Sequence, residues 1–332
     1  MKILLTGATG FIGRALLKEL IKDTSYELLA VLGSPSNIPI KNFIVKDILP
    51  ETDWKEVLSN IDIIIHLAAR VHVMRENSSD PLSEFRRINV ATTLNLARQA
   101  AKAGVRRFIF LSSIKVYGEN SQSMESFTAG GLHNGFQASA AQVYDNERIS
   151  GLDPYGRSKF EAEKGLCKVS NETKMEVVII RPPLVYGDGV KGNFLKMMKW
   201  VNGNFPLPFG GIKNQRSLVY IENLTSLITV CIQHPKAANQ TFLVSDDQDL
   251  STSELIEHLA NFLGRRSRLI NVPPSILKGF LLILGRRDIY NRLCGNLQVD
   301  IRKTCELLGW KPPFSVANGL NKTAKAWLEK DA

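Results

Sequence analysis

Three groups of residues in this chain are of types, and at spacings, that could do chemistry. Gly7-Ala8-Thr9-Gly10-Phe11-Ile12-Gly13 sets three glycines in a GxxGxxG run directly after the apolar Ile3-Leu4-Leu5. A glycine turn between a strand and a helix lets backbone approach a pyrophosphate, whose charge the helix N-terminus favours. Tyr155 and Lys159 stand four residues apart, on one face of a helix. The ammonium can then lower the phenol from its usual ~10, so that Tyr155 acts as an acid or base near neutral pH. Ser112-Ser113 follow the run Arg107-Phe108-Ile109-Phe110-Leu111 and so stand at the carboxyl end of a strand, where parallel sheets bind ligands. A serine there can hydrogen-bond a substrate oxygen and share its proton with Tyr155. Each group taken alone has a plainer reading: a tight turn, a surface Tyr–Lys pair, a strand-end turn.

The elements needed to position them are legible as an alternation of short β-rich runs and helical patterns, the trace of a parallel sheet covered on both faces. Strands are expected at Lys2–Leu5, Glu27–Leu32, Phe43–Val45, Asp62–Leu67, Arg107–Leu111 and Glu176–Ile180, six or more in one doubly wound α/β sheet. Helices are expected at Gly13–Lys22, Asp53–Asn60, Phe85–Ala103 and Asp153–Lys168. Ser121–Gly151, rich in Ser, Ala, Gly and Gln, is expected to be a long surface loop of the kind that forms lids. Beyond Arg181-Pro182-Pro183 the pattern loosens around Pro206, Pro208, Pro273-Pro274 and Pro312-Pro313. Residues 1–180 therefore read as a cofactor domain. Residues 181–332 read mainly as a smaller, irregular substrate lobe, with some segments returning to the first domain.

With 332 residues, 44% hydrophobic and 22% charged, the chain has the composition of an ordinary globular protein. The start shows no basic n-region or cleavage site, so a cytoplasmic location is expected. The apolar run Gly279–Leu284, with Lys278, Arg286 and Arg287 beside it, is too short to span a bilayer, which takes ~20 residues. It reads as a core or lobe-packing helix, and its sharper alternative is a patch resting on anionic membrane. Cys167, Cys231, Cys294 and Cys305 form no CxxC pair, so neither a metal site nor a redox dithiol is expected. The net charge of +10 suits nucleic acid, membrane or an anionic small molecule. Its basic residues are dispersed pairs without interleaved aromatics, which ranks nucleic acid low.

A glycine loop, a strand-end serine and a YxxxK helix, in that order, resemble the extended short-chain dehydrogenase/reductase family, whose members mostly act on nucleotide sugars. The resemblance runs through nearly the whole chain and implies a Rossmann sheet with Ser113, Tyr155 and Lys159 as the catalytic set. It implies NAD or NADP held by Gly7, Thr9, Gly10, Phe11, Ile12 and Gly13, with Asp47 and Ile48 on the adenine side. Leu67, Ala68, Ala69, Asn89, Tyr155, Lys159, Pro182 and Val185 complete that cofactor site. Ser112, Ser113, Asn193 and Arg216 are implied for a UDP-sugar substrate, Arg216 because guanidinium presents forked donors to phosphate. Arg292 is a second candidate clamp, with a solvated charge as its plainer reading.

Within the family, dehydratases carry an Asp-Glu pair directly after the strand-end hydroxyl, where this chain has Ile114-Lys115. That leaves a 4-ketoreductase consuming NAD(P)H or a C4 epimerase recycling bound cofactor. Ala68 to Met74, Ser112 to Val116 and Cys294 to Asp300 are similar to the bacterial 4-ketoreductases that form UDP-N-acetylquinovosamine for surface polysaccharide. This makes ketoreduction the first expectation and 4-epimerisation of a UDP-hexose or UDP-N-acetylhexosamine the alternative. A non-catalytic dinucleotide-binding scaffold is remote with Ser113, Tyr155 and Lys159 all present. Strand two ends in Leu32-Gly33-Ser34, with neither acid nor arginine to select NAD or NADP. Helix 85–103 and the Tyr155 helix could pair in a homodimer.

Overall fold

The computed structural model describes residues 1–45, 48–71, 80–118, 152–283, 285 and 287–331. Asp47 and the expected loop 121–151 lie outside the described residues. The strands are β1 (Lys2–Thr6), β2 (Glu27–Leu32), β3 (Lys41–Ile44), β4 (Ile63–His66), β5 (Arg107–Leu111), β6 (Glu176–Arg181), β7 (Leu184–Tyr186), β8 (Leu218–Tyr220) and β9 (Gln240–Leu243). Seven of them form one parallel sheet in the order β3-β2-β1-β4-β5-β6-β9, and β7 pairs with β8 alone. The chain walks outward from β1 to β3 and then returns to lay β4 beside β1. That reversal opens a crevice at the carboxyl ends of β1 and β4.

The helices are α1 (Phe11–Leu20), α2 (Pro81–Phe85), α3 (Thr92–Lys102), α4 (Pro154–Glu172), α5 (Gly192–Asn202), α6 (Ile221–Gln233), α7 (Thr252–Phe262), α8 (Pro274–Ile283), α9 (Arg287–Cys294), α10 (Arg302–Leu308) and α11 (Val316–Asp331). Side chains alternate across a strand, so the unbroken apolar runs of β1 and β4 serve both faces. Ile3, Leu5, Ile63 and Ile65 meet Leu16 and Leu20 of α1 and Leu224 and Ile228 of α6 on one side. Leu4 and Ile64 meet Leu96 and Ala100 of α3 and Ala162 and Leu166 of α4 on the other. A third apolar cluster, including Tyr186, Phe194, Leu218, Leu259 and Leu320, forms the core of the second lobe.

Four local expectations are corrected. Residues 53–60 form turns, not a helix: Asp53 Oδ1 accepts from Lys55 N at 2.9 Å and Asn60 takes φ +58°, local alternatives that compete with helical bonding. Trp54 and Leu58 are nevertheless buried under the sheet. The helix expected over 85–103 is α2 and α3 joined by a π-helical stretch, Arg86–Ala91. The second lobe is largely helical instead of irregular, because proline at a first helical position, such as Pro274 of α8, starts a helix without sacrificing a hydrogen bond. Finally, the apolar run expected as a core or lobe-packing helix packs on the second lobe through Leu281, while its Phe280, Leu282 and Ile283 are exposed. The ninth strand, β9, is a sheet member that the sequence pattern does not announce.

Candidate active site

The glycine turn is shaped by backbone contact. Gly7 takes φ +75°, and a Cβ there would lie 2.8 Å from Ala68 N. A Cβ on Gly13 would lie 2.1 Å from Gly7 O, so the start of α1 packs directly on the turn. Gly10 caps α1 without a side chain, which leaves the first helical N–H groups facing the crevice for an acceptor. Beneath the turn, Thr6 Oγ1 accepts from Ala68 N at 3.3 Å and stands 2.8 Å from His66 Nδ1, while His66 Nε2 is 2.9 Å from Thr93 Oγ1. Burial, aided by the Lys159 charge, lowers His66 to about 3, so it stays neutral and ties β1, β4 and α3 together. The turn, the uncapped helix start and Leu67-Ala68-Ala69 at the end of β4 fit the pyrophosphate half of a dinucleotide.

At the neighbouring strand end, Ser112 is buried, and its Oγ has no hydrogen-bond partner among the described residues. Ser113 Oγ accepts from Lys115 N at 3.2 Å, and its side chain favours ionisation of the neighbouring Tyr155. Asp153 caps α4 by accepting from Gly156 N at 2.6 Å, and one turn of helix then carries Tyr155 and Lys159 towards the end of β5. The Phe85 ring meets Tyr155 edge-on at 6.1 Å. Lys159 is buried; its Nζ donates to Leu111 O at 2.8 Å and lies 4.5 Å from the centre of the Phe110 ring. The structure thus gathers Ser112, Ser113, Tyr155 and Lys159 around the carboxyl end of β5.

One electrostatic expectation is corrected. Burial pushes Tyr155 above its usual value and the Asp153 charge adds to this, with the Ser113 hydrogen bond opposing both. Lys159 does not lower it here, because the ammonium is turned to Leu111 O and is itself lowered by burial to about 7, against a raising influence from Glu163.

Asn89 is spent as a strut. The π-helical stretch turns it inward, where it accepts from Arg70 N at 2.8 Å and donates to Arg70 O and to Ser158 Oγ, each at 3.0 Å. Ser158 in turn donates to Tyr155 O at 2.8 Å, so the loop after β4 and the Tyr155 helix are locked together. Pro182 O accepts from Ile114 N at 2.9 Å, holding the turn before β7 beside Ser113. Beneath it Arg181 is buried in a bidentate pair with Glu163, at 3.0 and 2.5 Å, and donates to Tyr117 Oη at 2.5 Å. Ser158 and Glu163 were not read as functional from sequence. Glu163, four residues after Lys159 on the same helix face, carried a signal that could have found it.

Ile114 is buried, and Lys115 is paired to Asp153 at 2.5 Å. A Cβ on Gly156 would lie 2.6 Å from Lys115 O, so this junction is tight. Neither residue after Ser113 is placed to act as a dehydratase acid or base. Ile48 packs against the second core cluster, and Val185 lies half-buried in β7.

In the second lobe, Asn193 is exposed at the start of α5. Arg216 Nη1 donates to Gly295 O at 2.8 Å and Asn214 Nδ2 to the same oxygen at 3.0 Å, so segment 214–217 is laced to the end of α9, which bears Arg292. Asp246 joins the lobes' seam: it accepts from Tyr220 N, Asn223 Nδ2 and Tyr186 Oη, each at 2.7 Å, and burial raises it to about 6.

Comparison with known proteins places this geometry among relatives. The family model described as NAD dependent epimerase/dehydratase family matches residues 3–245. A Vibrio cholerae protein named UDP-glucose 4-epimerase is 45% identical, with 98% of this chain and 95% of that protein covered. An Escherichia coli O157:H7 protein named N-acetyl-alpha-D-glucosaminyl-diphospho-ditrans,octacis-undecaprenol 4-epimerase is 25% identical over 97% of this chain and 93% of its own. The crystal structure of Thermotoga maritima UDP-glucose 4-epimerase with UDP-glucose shares the fold over the full length of both chains, with a TM-score of 0.75 at 22% identity.

Proposed function

The chain belongs to the NAD-dependent epimerase/dehydratase family, and from that premise we propose that it inverts C4 of a UDP-linked hexose or N-acetylhexosamine, using a retained NAD. The observation that carries the chemistry is the gathering of Ser112, Ser113, Tyr155 and the buried Lys159 at the end of β5, beside the glycine turn. The choice of reaction rests on the 45% identical relative named as a 4-epimerase, which moves epimerisation ahead of the ketoreduction first expected from sequence. The buried Ile114 and the paired Lys115 speak against dehydration.

Gly7, Gly10, Gly13 and the backbone of Leu67–Ala69 would hold the pyrophosphate of NAD, and Pro182 and Val185 would border its nicotinamide end. A bound NAD would supply a reversible hydride acceptor for C4, with no net change in the cofactor over the full reaction. Tyr155 Oη takes the O4 proton as the C4–H bond breaks and gives it back to the oxygen after the keto sugar has turned its other face. Ser113 Oγ steadies O4 through both transfers, and Ser112 supplies a second hydroxyl beside it. Lys159, held at Leu111 O at the end of β5, would orient the nicotinamide ribose beside Tyr155. Asn193, Arg216 and Arg292 lie on the lobe that takes the nucleotide diphosphate.

The test is to incubate the purified protein with UDP-glucose and, separately, UDP-N-acetylglucosamine without added cofactor, and to follow C4 inversion by proton NMR. An equilibrium mixture of C4 epimers is expected, with the rate reduced about 10²- to 10⁴-fold in Tyr155→Phe. Failure to invert either sugar, together with stoichiometric NADH or NADPH oxidation by UDP-4-keto-6-deoxy-N-acetylglucosamine, would overturn the proposal in favour of the ketoreductase.

A further inference from the structure

Helix α8 turns an apolar face away from the protein. Leu277 and Leu281, one turn apart, pack it against the core of the second lobe. Ile276, Phe280 and Ile283, at i, i+4 and i+7, form a stripe on another face and are 62%, 60% and 86% exposed. The same lobe exposes two further large apolar side chains, Ile270 and Phe205, on strips joined by the bond from Ile270 N to Leu207 O at 2.8 Å. Monomeric proteins seldom leave contiguous large apolar side chains in water without a use for them.

The charge around the stripe selects its occupant. Arg265, Arg266, Arg268 and Lys278 are exposed, and residues 264–283 contain no Asp or Glu. A short helix with an apolar stripe inside a one-sign cationic rim suits the boundary of an anionic bilayer, where acyl chains receive the stripe and headgroups the cations. At ten residues, α8 is about 15 Å long and can lie only in the surface. No described helix is long and apolar enough to cross a membrane.

We infer that the exposed face of α8 docks the protein on the surface of anionic phospholipid membranes. The docked face lies next to the substrate lobe, because α9 runs from α8 to Gly295, whose carbonyl receives Arg216 and Asn214. Docking is independent of the sugar reading, since vesicle binding and C4 inversion are measured separately.

The test is co-sedimentation of the full chain with vesicles of mixed phosphatidylglycerol and phosphatidylcholine, against phosphatidylcholine alone. Wild type is expected to pellet with the anionic vesicles and to be released by salt. Ile276→Ser/Phe280→Ser/Ile283→Ser should partition at least about tenfold less, while its turnover of soluble nucleotide sugar stays within about twofold of wild type. Arg265→Glu/Arg266→Glu, which leaves the apolar stripe intact, should lose binding to the anionic vesicles and so carries the test if the triple variant fails to fold. Equal pelleting of wild type and the charge-reversed variant would overturn the inference. So would a wild type that ignores anionic vesicles but dimerises through this face in sedimentation velocity.

Discussion

Replacing Lys159 by Met should make the cofactor-free protein more stable while removing its activity. Lys159 is 2% exposed, and burial brings its ammonium from 10.5 to about 7. At ~1.4 kcal/mol per tenfold change in proton affinity, the folded state bears a penalty of about 5 kcal/mol for holding the cation at pH 6. Methionine fills a similar volume without charge, but it leaves Leu111 O without its donor, a loss of about 1–3 kcal/mol. The net gain expected in urea denaturation at pH 6 is therefore about 2–4 kcal/mol, from those two estimates.

The sign of the pH dependence follows from the lowered value. Between about 7 and 10.5 the unfolded chain binds more protons at this position than the folded chain, so wild-type stability rises with pH through that window. The penalty is fully present below 7 and relieved as the pH climbs, so the advantage of the Met variant should shrink and reverse near the upper end, where only the missing hydrogen bond remains. Turnover should fall at least about 10²-fold at neutral pH. A Met variant less stable than wild type at pH 6, or an advantage that grows with pH, would refute the argument that this ammonium is held against its solvation.

Two further substitutions probe the frame. Gly13→Ala forces a methyl to within 2.1 Å of Gly7 O; the turn must shift, and NAD retention after gel filtration, read by absorbance or by release on denaturation, should drop at least about tenfold. Asn89→Ala strands the Arg70 backbone groups and Ser158, and should cost about 2–4 kcal/mol in urea denaturation. Because Ser158 holds Tyr155 O, turnover should fall more than substrate affinity, a split that steady-state kinetics would show.

The parts of the site that were readable in the sequence are those whose signal is local. Tyr155 and Lys159 are one helical turn apart, and the glycine run abuts its own strand and helix, so spacing alone placed both. Strands β2 and β5 were bounded by their apolar runs. What was missed depends on contacts distant in sequence. Asn89 reaches Ser158 across 69 residues, and nothing in the spacing of either residue announces that bond. Gln240–Leu243 is too short to show a period, and it becomes a strand because β6 offers it an edge. The direction of the Lys159 ammonium was misjudged because a helical interval gives proximity to Tyr155 but not the pull of Leu111 O on the third element. The exposure of α8 was likewise hidden, since an apolar run reads as core whichever side of it meets solvent.

The Lys115–Asp153 pair has a consequence for how such an enzyme can diversify. Lys115 lies two residues after Ser113 and Asp153 two residues before Tyr155, so this ion pair, with Asp153 capping the Tyr155 helix, fastens the two catalytic segments together. Substitution of either partner therefore acts on both segments at once, so that such an enzyme diversifies by changing residues outside this coupled unit.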